Sequence, residues 1–263
     1  MNETEYKLRK DLCEVSRRMY LAGFMAGSDG NISTILGENE ILITPSRLCK
    51  GFMEPEQMVI IDRQGKKISG ELPPTSEAVM HLAAYDERPD ICSVVHCHPP
   101  ILVAFTVAGM NLPGSIMPEI ETVLGGSLPV APYATPGGAE LANSLRPYIR
   151  DRSISVVLLD HHGIIGVGSD VYQASMKIEH AEAAAKVILY ARQLGGEKPL
   201  PSDSVEKLRE VHKRIVEMES QVFSAYCHAP ECIMRTETEK TTPDREIDRI
   251  VGKVISELKR EKE

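Results

Sequence analysis

Leu8, Leu12, Val15, Met19 and Leu21 recur at roughly helical spacing near the start of the chain, which predicts an opening amphipathic helix. The turn formers of GSDGNIS follow, and the apolar segments ISTIL and ENEILITPS flank a Gly-Glu-Asn turn, the pattern of a β-hairpin. MVIIDRQGKKIS reads as a second hairpin turning near Arg63 to Lys66. The period then changes. A helix is predicted from about Ser76 to Asp86, a buried strand in ICSVVHCH, and a short helix begun by the prolines of PPILVAFTVAG. LPVAPYATP is expected to be extended and GGAELANSLRPYI helical. The longest strand signal is ISVVLLDHHGIIGVG, apolar on both sides of Asp160-His161-His162-Gly163. Two further helices are expected, from Asp170 to Leu194, ended by Gly195 and Gly196, and from about Ser202 to Tyr226.

Beyond that point the pattern fails. Residues 228–244, HAPECIMRTETEKTTPD, are polar, contain prolines and lack periodicity, as expected of a linker. Ile247, Ile250, Val251, Val254, Ile255 and Leu258 then fall on one helical stripe. The expected organisation is a main domain over 1–227, a linker over 228–244 and an amphipathic helix over 245–263.

Composition narrows the function classes. Of 263 residues, 42% are hydrophobic and 26% charged, which is ordinary for a globular protein. The net charge of −8 opposes a nucleic-acid partner, and no basic cluster is large enough to overcome it. The chain contains no tryptophan, so stacking platforms for sugars or bases are not expected. The N-terminus is charged throughout, with no apolar core of a signal peptide, and no apolar run approaches a membrane span. The cysteines at 13, 49, 92, 97, 227 and 232 follow no framework spacing and read as reduced thiols. These features together predict a cytoplasmic protein.

Four stretches carry candidate chemistry. In a strand, His96 and His98 point to one side, about 7 Å apart along the backbone, close enough to converge on one ion. The alternative is a pair of hydrogen-bonded core histidines. Asp160-His161-His162-Gly163 offers a third imidazole where Gly163 permits a sharp change of direction, or is simply a polar loop. His180 sits among helix formers and reads as a surface histidine. Glu77, expected in the first turn of its helix with Thr75 or Ser76 as cap, is either a helix-dipole partner or a general base beside a metal. Gly30, Asn31, Ser46, Thr75 and Ser76 offer the small donors and main-chain N–H groups that cradle a phosphate.

In order along the chain, G-N-x-S, T-P-[ST], [ST]-S-E, H-x-H and H-G resemble the class II aldolase/adducin family, over about Leu8 to Gly196. The resemblance implies a three-layer α/β/α fold on a mostly antiparallel sheet, assembled as a homotetramer. It also implies one catalytic Zn2+ per subunit, held by His96, His98 and His162, with Glu77 as the acid/base group. Gly30, Asn31, Ser46, Thr75 and Ser76 would bind phosphate. The activity it implies is retro-aldol cleavage of a deoxy-ketose 1-phosphate, as in fuculose-phosphate aldolases, through a zinc-stabilised enediolate to dihydroxyacetone phosphate and an aldehyde.

Two departures widen the reading. Where fuculose-phosphate aldolases place a tyrosine before a Gly-Gly, this chain has Glu119, so the second acid/base group is open between Glu119 and Tyr226. Arg47 stands where glycine commonly follows T-P-[ST], and its guanidinium could grip a phosphate or a carboxylate. This admits a metal-dependent decarboxylase or a sugar-phosphate 4-epimerase; an adducin-like interaction protein is the rival without catalysis. The linker and C-terminal helix resemble the encapsulation peptides that dock enzymes on the shell proteins of bacterial microcompartments.

Overall fold

The computed structural model describes residues 2–226, the last of them, including Tyr226, by backbone only. The linker 228–244 and the apolar stripe of 245–263 lie outside the described residues. Eight strands form one sheet: β1 (Asn31–Gly37), β2 (Glu40–Ile43), β3 (Val59–Ile61), β4 (Lys67–Ser69), β5 (Ser93–Cys97), β6 (Val130–Ala131), β7 (Val156–Leu159) and β8 (Gly163–Gly168). Their order is β4-β3-β2-β1-β5-β8-β7-β6. Every neighbouring pair is antiparallel except β6 and β7.

The strands alternate between two apolar cores. Val95, Val156, Leu158 and Ile164 face one side, where they meet Leu12, Val15 and Met19 of α1 (Glu3–Leu21). Leu102 and Phe105 of α3 (Pro100–Val107) and Ile178, Ala181 and Ala185 of α6 (Val171–Gln193) complete that layer. Val94, Val157, Leu159 and Ile165 face the other side, against Met80 and Ala84 of α2 (Ala78–Glu87) and Leu141, Leu145 and Ile149 of α5 (Ala139–Ile149). Burial on both faces explains why β5, β7 and β8 read as nearly unbroken apolar runs, although the sheet is antiparallel. This is the expected three-layer α/β/α arrangement.

Several boundaries differ from the sequence expectation. Leu21 ends α1 but is 72% exposed, outside the buried stripe. Of LPVAPYATP only Val130 and Ala131 pair with another strand. Five-residue α4 (Pro118–Thr122) was not foreseen, because so short a helix shows no periodicity. It is clamped by α7 (Ser202–Tyr226): Arg209 donates to buried Glu121 at 3.0 Å, and His212 Nδ1 donates to the Thr122 carbonyl at 3.0 Å.

Close approach of α6 to β8 depends on a missing side chain. A Cβ at Gly166 would lie 2.8 Å from the Ala174 carbonyl oxygen and 2.8 Å from Ile178 Cγ1. Backbone cannot yield as a flexible side chain does, so Gly166→Ala should cost about 1–3 kcal/mol through overpacking. Thermal unfolding should show a loss of several degrees, at about 2–4 °C per kcal/mol for a domain of this size. An unchanged midpoint would mean that α6 is free to move away.

Candidate active site

The site forms where three adjacent strands end beside the start of α2. His96 is on β5, paired with Asn31 on β1 and with Ile165 on β8. His98 lies one residue beyond β5, and His162 closes the turn between β7 and β8. The three ring centroids stand 4.8, 4.9 and 5.2 Å apart. One nitrogen from each ring lies within 4.8 Å of the other two.

This turn corrects a sequence expectation. The residue in left-handed conformation is His161, at φ 55°, while Gly163 already belongs to β8. Gly163 serves close packing instead: a Cβ there would lie 2.5 Å from His98 Cδ2 and 2.6 Å from the Cys97 carbonyl oxygen. Only glycine lets the histidine rings sit this close to the strand. At Gly30, by contrast, both reasons apply, with φ at 74° and a Cβ position 3.0 Å from the His96 carbonyl.

The rings are oriented for a cation. His96 Nδ1 donates to the Ile164 carbonyl at 2.9 Å, which leaves the lone pair on Nε2. Burial pushes His96 below the usual histidine range, and His98 likewise, so both are neutral at pH 7. His98 Nε2 stands 3.1 Å from His96 Nε2, close enough for both nitrogens to share one cation. Asp29 Oδ2 lies 3.6 Å from the other nitrogen of His98. His162 Nδ1 is buried with no hydrogen-bond partner. Three imidazole nitrogens within 4.8 Å of one another fit zinc and similar divalent ions.

Glu77 completes the cluster. Its Oε2 is 3.4 Å from His96 Nε2 and its Oε1 is 3.3 Å from His162 Nε2. Asn31 Nδ2 donates to Oε2 at 2.7 Å. Burial alone would raise the Glu77 carboxyl, but the His162 contact and the Asn31 hydrogen bond hold it well below the usual range. Glu77 does not lie in the first helical turn, as expected, but at the N-cap of α2, where its side chain makes no capping bond. It turns away from the helix towards the histidines, while its own N–H donates to Thr75 Oγ1 at 3.3 Å.

Of the candidate phosphate residues, Gly30 and Asn31 are buried beside His96, and Ser46, Thr75 and Ser76 lie on two adjoining segments. The segments Thr44–Arg47 and Pro73–Ser76 run side by side, joined by Ser46 N–H to the Pro73 carbonyl and Thr75 N–H to the Thr44 carbonyl. Ser76 and Arg47 are exposed there, and Arg47 is held at φ 60°. The Asn31 carboxamide is engaged at both ends, by Glu77 and by His81. Glu119 is exposed on α4, outside the hydrogen-bonded cluster, and His180 is exposed on α6. His161 is half exposed, hydrogen-bonded to Asp160 at 2.8 Å.

Sequence reasoning missed Asp29, His81, Ser33 and Tyr85. A signal was present, since Glu77, His81 and Tyr85 follow at i, i+4 and i+8 along one face of α2. His81 is fully buried, and burial lowers it to about 4 from 6.5. Unfolding below pH 6.5 therefore takes up a proton that the folded site refuses. Stability is complete above about pH 6.5 and falls as pH drops towards 4, by up to ~1.4 kcal/mol per pH unit from this group. Denaturant midpoints of the chelated protein at pH 7.5, 6 and 5 should decline in that order; a flat series would show that His81 is not buried neutral.

Comparison with known proteins agrees with this arrangement. The family model of the Class II Aldolase and Adducin N-terminal domain matches residues 10–189. A 3-oxo-tetronate 4-phosphate decarboxylase of Cupriavidus necator is 32% identical over 79% of this chain and 96% of its own length. A 5-deoxy-D-ribulose 1-phosphate aldolase of Bacillus thuringiensis is also 32% identical, over 77% of this chain and 93% of its own. A solved L-fuculose 1-phosphate aldolase superposes with a TM-score of 0.71 at 28% identity, covering 79% of this chain and 96% of that one. Among the described residues no helix is long and apolar enough to cross a membrane. With the fold, the three histidines and the carboxylate all in place, the chain belongs to the class II aldolase/adducin family as a lyase of the class II aldolase type.

Proposed function

We propose that the enzyme breaks the bond between the carbons α and β to the ketone of a deoxy-ketose 1-phosphate of the L-fuculose 1-phosphate kind, releasing dihydroxyacetone phosphate and an aldehyde. The observation that supports this reading is the Glu77 carboxylate, 3.4 and 3.3 Å from Nε2 of His96 and His162. Zinc held by His96, His98 and His162 would supply positive charge to the ketone oxygen and its neighbouring hydroxyl. Glu77 delivers or removes the proton at the carbon beside the ketone. Gly30, Asn31, Ser46, Thr75 and Ser76 line the phosphate end, Asn31 through its main chain, with Arg47 at the lip. The second acid/base group is assigned to Glu119 or Tyr226, reaching the site between subunits of a homotetramer. The same reading sets the enzyme in the cytoplasm, with residues 245–263 as a docking helix for a microcompartment shell protein.

Arg47 favours a second reading. It makes no ion pair among the described residues, and its backbone conformation is one that side chains rarely adopt. A free guanidinium at the rim suits a substrate carboxylate. Loss of carbon dioxide from 3-oxo-tetronate 4-phosphate would leave dihydroxyacetone phosphate, with the charge developing on the same carbon as in the aldol cleavage. Glu77 would protonate that carbon in both reactions.

The test supplies the metal-loaded chain with L-fuculose 1-phosphate, 5-deoxy-D-ribulose 1-phosphate and 3-oxo-tetronate 4-phosphate. Dihydroxyacetone phosphate is followed by coupled reduction, and carbon dioxide is measured separately. Release of the triose phosphate with an equivalent of aldehyde from a ketose phosphate is the expected result. Release with carbon dioxide from the oxo acid alone would establish the decarboxylase reading, and no release from any of the three would overturn both.

A further inference from the structure

Behind Glu77 a line of polar groups runs into the core, away from the open side of the site. Glu77 Oε2 accepts from Asn31 Nδ2 at 2.7 Å, and Asn31 Oδ1 lies 2.5 Å from His81 Nε2. His81 Nδ1 lies 2.7 Å from Ser33 Oγ, which in turn lies 2.7 Å from the Tyr85 hydroxyl. Asn31, Ser33, His81 and Tyr85 are all buried.

The chemistry fixes the direction of every proton in this line. A carboxylate only accepts, so Asn31 must present its nitrogen to Glu77 and its oxygen to His81. His81 must then donate from Nε2. Buried and neutral, it keeps a lone pair on Nδ1, which takes the Ser33 hydroxyl proton, and Ser33 accepts from Tyr85. All four hydrogen bonds point towards one carboxylate oxygen, and in so dry a setting each strengthens the next.

We propose that His81 is a positioning residue. Through Asn31 it occupies Glu77 Oε2 and leaves Oε1, the oxygen beside His162, as the one that handles the substrate proton. Without the His81 donor the Asn31 carboxamide is free to rotate by half a turn. Its oxygen would then face Glu77, replacing a charge-assisted hydrogen bond with repulsion and displacing the base. The metal ligands are untouched. The kinetic part of the inference rests on the proposed function; the proton arrangement does not.

Two variants separate this role from simple packing. In His81→Gln the side-chain amide nitrogen can take the place of Nε2 and keep the donor, whereas His81→Asn is too short to reach Asn31. Solvent deuterium exchange into dihydroxyacetone phosphate should fall about 10–100-fold in kcat for His81→Asn, the usual effect of losing such a supporting partner. KM and zinc content should stay within twofold, and His81→Gln should recover most of the rate. Adding His81→Asn to Asn31→Ala should cost nothing further, because the link is already broken.

In the zinc-loaded wild type, 15N imidazole spectra should report His81 as the Nε2–H tautomer. An Nδ1–H tautomer, a loss confined to KM, or a Gln variant no better than the Asn variant would overturn the inference. Should His81→Asn fail to fold, the wild-type tautomer and the Gln variant still decide it. Wild-type protein that exchanges no deuterium while showing the Nε2–H tautomer would defeat the proposed function and leave the proton arrangement standing.

Discussion

Replacing His162 by alanine should strip the metal and abolish turnover. The substitution leaves two ligands, His96 and His98, and removes the only one supplied by the β7–β8 turn. Histidines elsewhere provide the controls. His161, one position away, is tied to Asp160 and half exposed; His161→Asn keeps a residue that tolerates its left-handed backbone and should retain full zinc. His180→Ala, on the exposed face of α6, should do the same. Zinc content by a colorimetric chelator, read beside turnover, gives the answer. Loss of metal from the His180 variant with retention in the His162 variant would show that the ligand set is wrong.

Glu77→Gln should have the converse signature, full metal and little rate. The amide still offers Asn31 an acceptor and preserves the shape of the cluster, but it can no longer exchange a proton with substrate. General acid–base catalysis is worth roughly 10²–10⁴-fold, and that loss should appear in kcat with metal content unchanged. Near-normal turnover would reduce Glu77 to a helix-dipole partner, which its place at the N-cap of α2 would also allow. The two substitutions thus probe separate parts of one cluster.

Part of this site was legible in the chain because its three histidines lie on, or directly beside, regular strands. The period of two through Ser93–Cys97 places His96, and the hairpin either side of Asp160-His161-His162-Gly163 follows from the apolar runs around it. The choice of His162 over His161 came from family resemblance, since spacing alone leaves both open. What spacing could not show is that the backbone turns through His161, which leaves His162 to face His96 and His98. The buried line through Asn31, His81, Ser33 and Tyr85 was missed for another reason. It joins a strand to a helix far away in sequence, and each member looks ordinary until the layers are packed.

The placement of the site in the sheet bears on how such an enzyme acquires new substrates. His96 is bound into the centre, where β5 lies between β1 and β8 and the last backbone amides to exchange should be found, and Glu77 and His162 stand against it. Thr44–Arg47 and Pro73–Ser76 are irregular segments joined to each other by two backbone hydrogen bonds, and only Thr44 is tied to β1, through Ile32. In the proposed function these segments hold the substrate, so mutation there would change specificity while leaving Glu77 and its partners in place. That asymmetry makes the fold evolvable. Relatives named as decarboxylase and aldolase, each 32% identical to this chain, are what such a division of tasks would produce.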